Sequence, residues 1–253
     1  MSASTWQLDH HRAQLRRGSL SATLDLSAPN RGLFDIRGGP PQLETAEILA
    51  LRVPACHFVG GNLPQDAFVR GSELVAEYSD GTAWPIAVNA RWICGSDSDP
   101  GLTAVWDLIV SVHTEQLDSR PALAVVSAVA CCQTLRLMER ESGRFSALPA
   151  ALATQPFAPA SGEGCILLRL PNSLFSYVEM VHPLDFHCGE VCLEGEGAAC
   201  RATVVNHLFP ETLEKGVVLR ARVRAVLLPC EDDCRLAADA YRKFAAAAPP
   251  LGA

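Results

Sequence analysis

The sequence contains very little lysine. Lys215 and Lys243 are its only lysines, so nearly all of its 21 cationic side chains are arginine. The 28 acidic residues outnumber them and give a formal net charge of −7 at pH 7. A protein that binds nucleic acid through the phosphates needs a clustered excess of lysine and arginine. We therefore expect no nucleic-acid partner.

Long apolar segments are also missing. The longest nearly apolar run, ALAVVSAVACC at 122–132, has eleven residues. A helix that spans a bilayer needs about 20. The segment 1–19 has no apolar stretch ahead of its charges, which disfavours a secretory signal. These features predict a soluble, cytoplasmic protein with no membrane partner.

The ten cysteines do not have the setting of a disulfide-rich secreted domain. Cys131 and Cys132 are adjacent, and several others lie in apolar strand patterns, where a thiol behaves as a small hydrophobic side chain. Two further pairs have three intervening residues and could together supply four zinc ligands: Cys188 with Cys192, and Cys230 with Cys234. Spacing alone is weak evidence, so we expect reduced thiols, no metal site and no other cofactor.

The dominant pattern is an alternation of apolar and other residues. It extends over the segments 86–93, 102–113 and 217–228. Such alternation is typical of antiparallel strands that bury one face. Twelve residues at about 3.3 Å each would extend near 40 Å, which is longer than an ordinary strand. The pattern predicts a large, curved antiparallel sheet, and the hydrophobic fraction of 49% is ample for its core.

Helical signals are few. The segment 41–52 is compatible with a short helix, and 232–248 is a clear one, with aspartate near its start and two prolines after its end. No repeat or low-complexity segment divides the chain. The sequence predicts a single all-β domain over residues 1–253 with a C-terminal helix at about 232–248.

Several stretches carry a resemblance to known proteins. The segment TWQLDHHRAQLRRGSLSATLDLSAPNRGLFDIR (5–37) resembles the opening of the galactose-mutarotase-like supersandwich, in which a first strand pair and a glycine-containing turn precede long twisted antiparallel strands. Four later segments resemble a family of uncharacterised bacterial proteins of that kind: DAFVRGSELVAEYSDGTAWPIAVNARW, DLIVSVHTEQLDSRPAL, SYVEMVHPLDF and LEKGVVLRARVRAVLLP. The resemblance implies a β-supersandwich and a role linked to carbohydrates.

In sugar mutarotases a histidine acid and a glutamate base flank the sugar ring. Their usual histidine-bearing motif is not recognisable in this sequence, which disfavours an epimerase but not the fold or sugar binding. His182 and Glu214 are the residues that could carry such chemistry. Arginines close in sequence to Glu214 would lower the pKa of a base there, which favours a binding or structural role for it.

The segment SYVEMVHPLDFHCGEV (176–191) allows three interpretations. Pro183 lacks an N–H and would end a strand, so HPLD is first of all a turn in which Asp185 accepts backbone N–H bonds. His182 could instead bind a ligand or act in catalysis. A metal site formed by His182, Asp185 and His187 is the least favoured, because their spacing lacks the regularity of known ligand sets.

Arg220, Arg222 and Arg224 alternate along one strand and project from one face, and Arg91 lies on the polar face of another. Three guanidinium groups about 7 Å apart cannot be buried without partners. One solution is cross-strand pairing with acids such as Glu73, Glu77, Glu179 or Asp107. The other is a concave face that binds a sugar or sugar acid through Arg91, Arg220, Arg222, Arg224 and His182. Trp84 and Trp92 could supply a stacking surface, although the strand neighbours of Trp92 indicate a core position for it.

The function that we predict from the sequence is carbohydrate binding or a carbohydrate-linked role. Two alternatives stay open. One is an aldose epimerase-like enzyme that uses His182 with a carboxylate. The other is a non-catalytic scaffold or assembly protein whose sheet face is a protein interface, in which case we expect an oligomer.

Overall fold

The computed structural model describes residues 5–53, 63–79, 85–95, 101–149, 154–195 and 200–248. In these segments the chain forms two nine-stranded antiparallel sheets and one α-helix. Sheet 1 contains, in spatial order, β1 (Thr5–Asp9), β2 (Arg12–Arg17), β3 (Leu20–Asp25), β4 (Leu33–Arg37), β5 (Glu47–Arg52), β10 (Leu123–Ala130), β17 (Arg201–Leu208), β16 (Cys188–Glu194) and β13 (Thr154–Phe157). Sheet 2 contains β12 (Arg144–Ala147), β11 (Gln133–Glu139), β14 (Cys165–Arg169), β15 (Phe175–Val181), β18 (Val218–Pro229), β9 (Ala104–Thr114), β8 (Ile86–Cys94), β7 (Glu73–Tyr78) and β6 (Asp66–Arg70). The predicted all-β sandwich of long antiparallel strands is confirmed.

The three long alternating segments form the centre of sheet 2. Strands β8, β9 and β18 are adjacent, and β18 lies between β15 and β9. Their apolar residues face sheet 1 and are fully buried, as Trp92, Val110 and Val223 illustrate. The intervening residues face outward. Because the alternation is maintained across neighbouring strands, the polar residues of several strands collect on the outer face of sheet 2.

The predicted helix at 41–52 is wrong. Pro41–Leu43 form one turn of 3-10 helix, and Glu47–Arg52 form β5. A short apolar run such as EILALR fits a buried strand as well as a helix, and periodicity alone does not separate them. Here the pairing of β5 with β10 decides, since it satisfies the backbone in the middle of sheet 1.

The C-terminal helix predicted at about 232–248 is confirmed as α1 (Asp233–Ala246), and it packs on the outer face of sheet 2. Its first turn is attached through Asp233, which is 2% exposed. The Arg169 guanidinium donates two hydrogen bonds of 2.8 Å to that carboxylate, and the Ser176 hydroxyl donates a third of 2.9 Å. Farther along, the Tyr241 hydroxyl donates to Glu163 at 3.1 Å.

The cysteines that the structure describes are free thiols. Within the same residues, no group of three or more histidine, cysteine or acidic side chains is arranged to hold a metal ion. In the part of the chain that the structure describes, no helix has both the length and the apolar character needed to cross a membrane.

Candidate functional site

The residues predicted to bind a ligand lie on the outer face of sheet 2, and we call the set Arg91, Arg220, Arg222, Arg224 and His182 the arginine face. Arg91 of β8 is opposite Ile109 of β9, and Ile109 is in turn opposite Arg222 of β18. The backbone N–H of His182 donates to the carbonyl of Arg222 at 3.1 Å. Arg91, Ile109, Arg222 and His182 thus form one row across the sheet.

Arg224 is held by a carboxylate. Its Nε and one Nη donate to the two oxygens of Asp107, at 2.7 and 2.8 Å, in a bidentate pair between directly opposite residues of β18 and β9. This is the cross-strand pairing that the sequence predicted for Asp107. One of the three arginines of the strand therefore has its charge offset by a neighbouring acid.

Arg222 is held differently, because α1 ends above it. The Phe244 ring lies 4.3 Å from the centre of the guanidinium, and the Phe244 carbonyl accepts a hydrogen bond of 3.3 Å from one Nη. The side chain is largely buried (8% exposed for the residue), and its Nε has no hydrogen-bond partner among the described residues. Burial lowers the pKa of Arg222, with Asp107 opposing that effect, yet an arginine remains a cation.

Arg220 and Arg91 occupy the part of the face away from the helix. The Nε of Arg220 donates to the Ser111 hydroxyl at 2.9 Å. The Nε of Arg91 lies 3.4 Å from the amide oxygen of Asn89, and its Nη1 is 3.9 Å from the Glu73 carboxylate. These contacts are long for Arg91, so its guanidinium is the less constrained of the two.

His182 is buried where β15 ends. Its ring meets the Phe244 ring edge to face, with 5.6 Å between centroids, and its Nδ1 accepts a weak bond of 3.4 Å from the N–H of Leu184. Burial lowers the pKa of His182, and the opposing effect of the Asp185 carboxylate does not reverse this. This favours the neutral form of the imidazole.

The segment HPLD forms the turn that its sequence predicted. The N–H of Asp185 donates to the carbonyl of His182 at 2.8 Å, and the Asp185 carboxylate accepts the backbone N–H of Arg222 at 3.0 Å. The turn thereby fixes the end of β15 against β18. It also places the Asp185 carboxylate beside the Arg222 backbone without a hydrogen bond to its guanidinium.

Other residues singled out in the sequence lie elsewhere. Glu214 is exposed in the loop between β17 and β18. Trp92 is fully buried between the sheets, so it offers no stacking surface to a ligand. Trp84 lies outside the residues that the structure describes. The Glu77 carboxylate accepts a hydrogen bond from Asn89.

Glu179 was a wrong choice as a partner for the arginines. It lies on the inner face of β15, 1% exposed, and accepts hydrogen bonds from the Tyr177 hydroxyl (2.8 Å) and the Asn206 amide (2.6 Å). The Tyr177 oxygen is also 3.1 Å from Ser127 in sheet 1. Burial raises the pKa of Glu179 to about 7, although these hydrogen bonds act in the opposite direction.

Sequence reasoning also missed Phe244 as part of the arginine face. The helix was predicted, but which of its residues meets the sheet depends on how the helix docks. Its apolar positions Ala237, Ala240, Tyr241 and Phe244 do follow a helical period, which was the available signal.

Comparison with known proteins identifies the fold of this chain. No protein-family model and no curated protein matches the sequence. Among solved structures, a candidate aldose 1-epimerase from Escherichia coli K12 matches with a TM-score of 0.56 at 12% identity, over 89% of this chain and 99% of that one. A candidate mutarotase from Salmonella typhimurium also gives 0.56, at 10% identity over 90% and 94% of the chains. The chain has the galactose-mutarotase-like fold.

A third structure, a protein from Synechocystis sp. PCC 6803, matches with a TM-score of 0.50 at 10% identity, over 90% of this chain and 96% of that one. The fold implied by the resemblance of 5–37 is thereby confirmed. At such identities the similarity concerns the fold and assigns no role to any side chain.

Proposed function

We propose that the protein binds a carbohydrate on the arginine face, with a preference for sugar acids over neutral sugars. The observation that carries the proposal is the row formed by Arg91, Ile109 and Arg222 across three adjacent strands. It places two guanidinium-bearing residues on one side of the sheet, with the Arg91 side chain 12% exposed and Arg222 8% exposed. The fold shared with candidate sugar epimerases supports the carbohydrate class by analogy.

The spacing of the row suits a monosaccharide. Two strand intervals separate the Cα atoms of Arg91 and Arg222 by about 10 Å. Ile109 between them is only 4% exposed, so recognition would rest on the guanidinium groups and not on an apolar floor. Guanidinium groups donate in a planar fork that fits carboxylate oxygens and pairs of hydroxyls.

The two sides of this site would have different roles. Arg222 is fixed by Phe244 and by the sheet, so it would act as a preorganised charge at the inner end. Arg91 has long contacts with Asn89 and Glu73 and can exchange them for a ligand. The carboxylate of a sugar acid would then bind Arg91, at the more accessible end of the row.

The test is a binding screen followed by one substitution. Glucuronate, galacturonate, glucose and galactose are titrated into the labelled protein and followed by NMR. We expect a uronate to bind, and Arg91→Met to weaken that binding by roughly 10- to 100-fold, as the loss of a charge-assisted hydrogen bond of about 1.5–3 kcal/mol requires. Arg37→Met is the matched control, since Arg37 is a cation on β4 of sheet 1, paired with Asp35.

Two results would contradict the proposal. If no sugar binds, the site is not a carbohydrate site. If Arg37→Met weakens binding as much as Arg91→Met does, the ligand responds to total charge and not to the arginine face. A stable oligomer together with silence in the sugar screen would favour the scaffold alternative.

The epimerase-like alternative is favoured by one observation, the position of His182 at the end of the same row. A neutral histidine can accept a proton, but anomeric exchange also needs a partner that donates one. Polarimetry of freshly dissolved aldoses tests this alternative: a binder shifts ligand signals without accelerating exchange, whereas an enzyme accelerates it and loses that activity in His182→Gln.

A further inference from the structure

Cys131 and Cys200 face each other at the ends of two neighbouring strands of sheet 1. Pairing between β10 and β17 continues as far as Ala130 opposite Arg201, and the two cysteines are the next residues along each strand. The N–H of Cys131 donates to the carbonyl of Cys200 at 3.0 Å, so the pairing extends to them. Both side chains pack against the core between the sheets.

The side chains of Cys131 and Cys200 are in hydrogen-bond contact, and the position is compatible with the Cα separation of a disulfide. Hydrogen-bonded residues that are directly opposite on antiparallel strands have Cα atoms about 5.5 Å apart. Disulfides join Cα atoms separated by about 4.4–6.8 Å. We propose that Cys131 and Cys200 are a redox-active thiol pair, which small-molecule disulfides convert into an internal disulfide.

The two thiols differ in their exposure to solvent, and this difference determines which of them reacts first. Cys131 is buried, whereas Cys200 is partly exposed. The Cys131 sulfur also lies 3.7 Å from the Thr134 hydroxyl. Burial is the main cause that raises the pKa of Cys131 to about 12, so little of it is thiolate at neutral pH. Cys200 therefore meets the reagent first.

The reaction then proceeds in two exchanges. The Cys200 thiolate attacks one sulfur of the small disulfide, which forms a mixed disulfide and releases one small thiolate. The Cys131 thiolate, after losing its proton to solvent, attacks the Cys200 sulfur and releases the second small thiolate. The protein has lost two hydrogen atoms, and the small disulfide has been reduced to two thiols.

The cross-link would fix a joint between the two sheets. Cys131 and Cys132 are the whole connection between β10 of sheet 1 and β11 of sheet 2. A disulfide would tie this connection to β17 and close a long loop of chain. We expect it to raise the melting temperature by roughly 5–10 °C, since closing a loop reduces the freedom of the unfolded chain.

The experiment treats the folded protein with oxidised glutathione at pH 8, quenches with acid, and maps peptides without reduction. We expect one internal cross-link, between Cys131 and Cys200, that a reductant removes together with the gain in melting temperature. Closure should be about tenfold faster per pH unit between pH 7 and 9, because the attacking thiolate comes from a group with a high pKa.

Three variants locate the chemistry. Cys132→Ser, which removes the exposed neighbour, should leave the cross-link unchanged. Cys200→Ser should abolish it, and Cys131→Ser should accumulate glutathione on Cys200. A cross-link between other cysteines overturns the proposal, as does stable glutathione on Cys200 of the unsubstituted protein. So does modification of the exposed Cys132 and Cys188 while Cys200 stays free.

Discussion

The pKa of a buried carboxyl group is raised on the inner face of sheet 2 and lowered on the outer face. On the inner face, Glu179 is enclosed by neutral donors from Tyr177 and Asn206, and its pKa is raised to about 7. On the outer face, Asp233 is almost as buried but receives the guanidinium of Arg169. Burial alone would raise the pKa of Asp233, yet the bonds from Arg169 and Ser176 outweigh it and hold the pKa below its ordinary value.

The difference indicates that a counter-ion can offset the effect of burial on the charge of a carboxyl group. The inner face is shared by two sheets whose facing side chains are apolar, so a carboxyl group there finds dipoles only. A single helix covers the outer face. Arginine side chains can therefore reach a carboxyl group there and still remain close to solvent. Three substitutions would test this comparison, one at the cation of the outer face, one at the inner carboxyl group and one at the ring that covers the arginines.

The largest effect is expected from Arg169→Met. It leaves the Asp233 carboxylate buried without its cation, which costs roughly 3–5 kcal/mol for a fully buried pair. The Arg169 side chain is 38% exposed, so solvent will offset part of this, and we expect a loss of about 2–4 kcal/mol in urea unfolding. Arg235→Met is the control, because the ion pairs of Arg235 with Asp232 and Asp239 are exposed and worth less than about 1 kcal/mol. Equal losses in both variants would show that the buried carboxylate does not depend on Arg169.

Glu179→Gln should stabilise the protein at pH 8. The folded-state pKa of about 7 lies above the ordinary value of 4.5, so the folded protein keeps a proton that the unfolded chain releases between these values. Stability from this group is therefore highest below pH 4.5, falls as the pH rises, and is lowest above pH 7. The difference between 4.5 and about 7 corresponds to at most about 3.5 kcal/mol, at about 1.4 kcal/mol per pKa unit. We expect the variant to gain about 2 kcal/mol, because glutamine replaces one acceptor oxygen of the cluster with an NH2 group.

Urea unfolding of both proteins between pH 5 and pH 8 measures this effect. The two curves should separate as the pH rises, with the variant more stable. Glu194→Gln changes an exposed carboxylate of β16. Its free energy of unfolding should depend on pH in the same way as that of the unsubstituted protein. A variant that is less stable at every pH would mean that Glu179 is charged and favourable in the folded state.

The smallest effect is expected from Phe244→Leu, which keeps an apolar side chain over the arginine face but removes the aromatic ring. The ring lies 4.3 and 4.8 Å from the guanidinium centres of Arg222 and Arg224. A desolvated contact of this type contributes about 2 kcal/mol, whereas an exposed one contributes about 0.5–1 kcal/mol. We expect a loss of about 1–2 kcal/mol in thermal unfolding.

Phe34→Leu provides the exposed counterpart, since the Arg31 guanidinium lies 3.9 Å from the Phe34 ring on sheet 1. Its loss should be the smaller of the two. The pKa of His182, followed by NMR, should also rise in Phe244→Leu, because burial is the main cause that lowers it. An unchanged His182 titration would show that Phe244 does not control access to the row.

The sequence predicted what depends on alternation along a strand, and it named Asp107 among the acids that could pair with the arginines. Arg220, Arg222 and Arg224 share a face because they are two residues apart on one strand, and Asp107 is opposite Arg224 because β9 and β18 pair. The burial of Trp92 in the core followed from the same alternation.

The parts that the sequence did not predict depend on contacts between layers. The position of Phe244 over Arg222 is set by where α1 docks, which depends on Asp233, Arg169 and Ser176 together. The buried cluster around Glu179 needs Asn206 from β17 of the other sheet. A strand pattern gives the face of a residue but not what covers that face.

The position of β18 has a consequence for how the protein folds. It lies between β15 and β9, although every other strand of sheet 2 precedes it in the chain. Before β18 is inserted, sheet 2 consists of two separate halves, β12-β11-β14-β15 and β9-β8-β7-β6, each with a long unpaired edge. Insertion of β18 joins the two halves and pairs residues more than a hundred positions apart, such as Arg224 with Asp107. Pairing between residues so distant in sequence is slow. On the ribosome, the unpaired edges of β9 and β15 would stay open to wrong partners until the segment 218–229 has emerged.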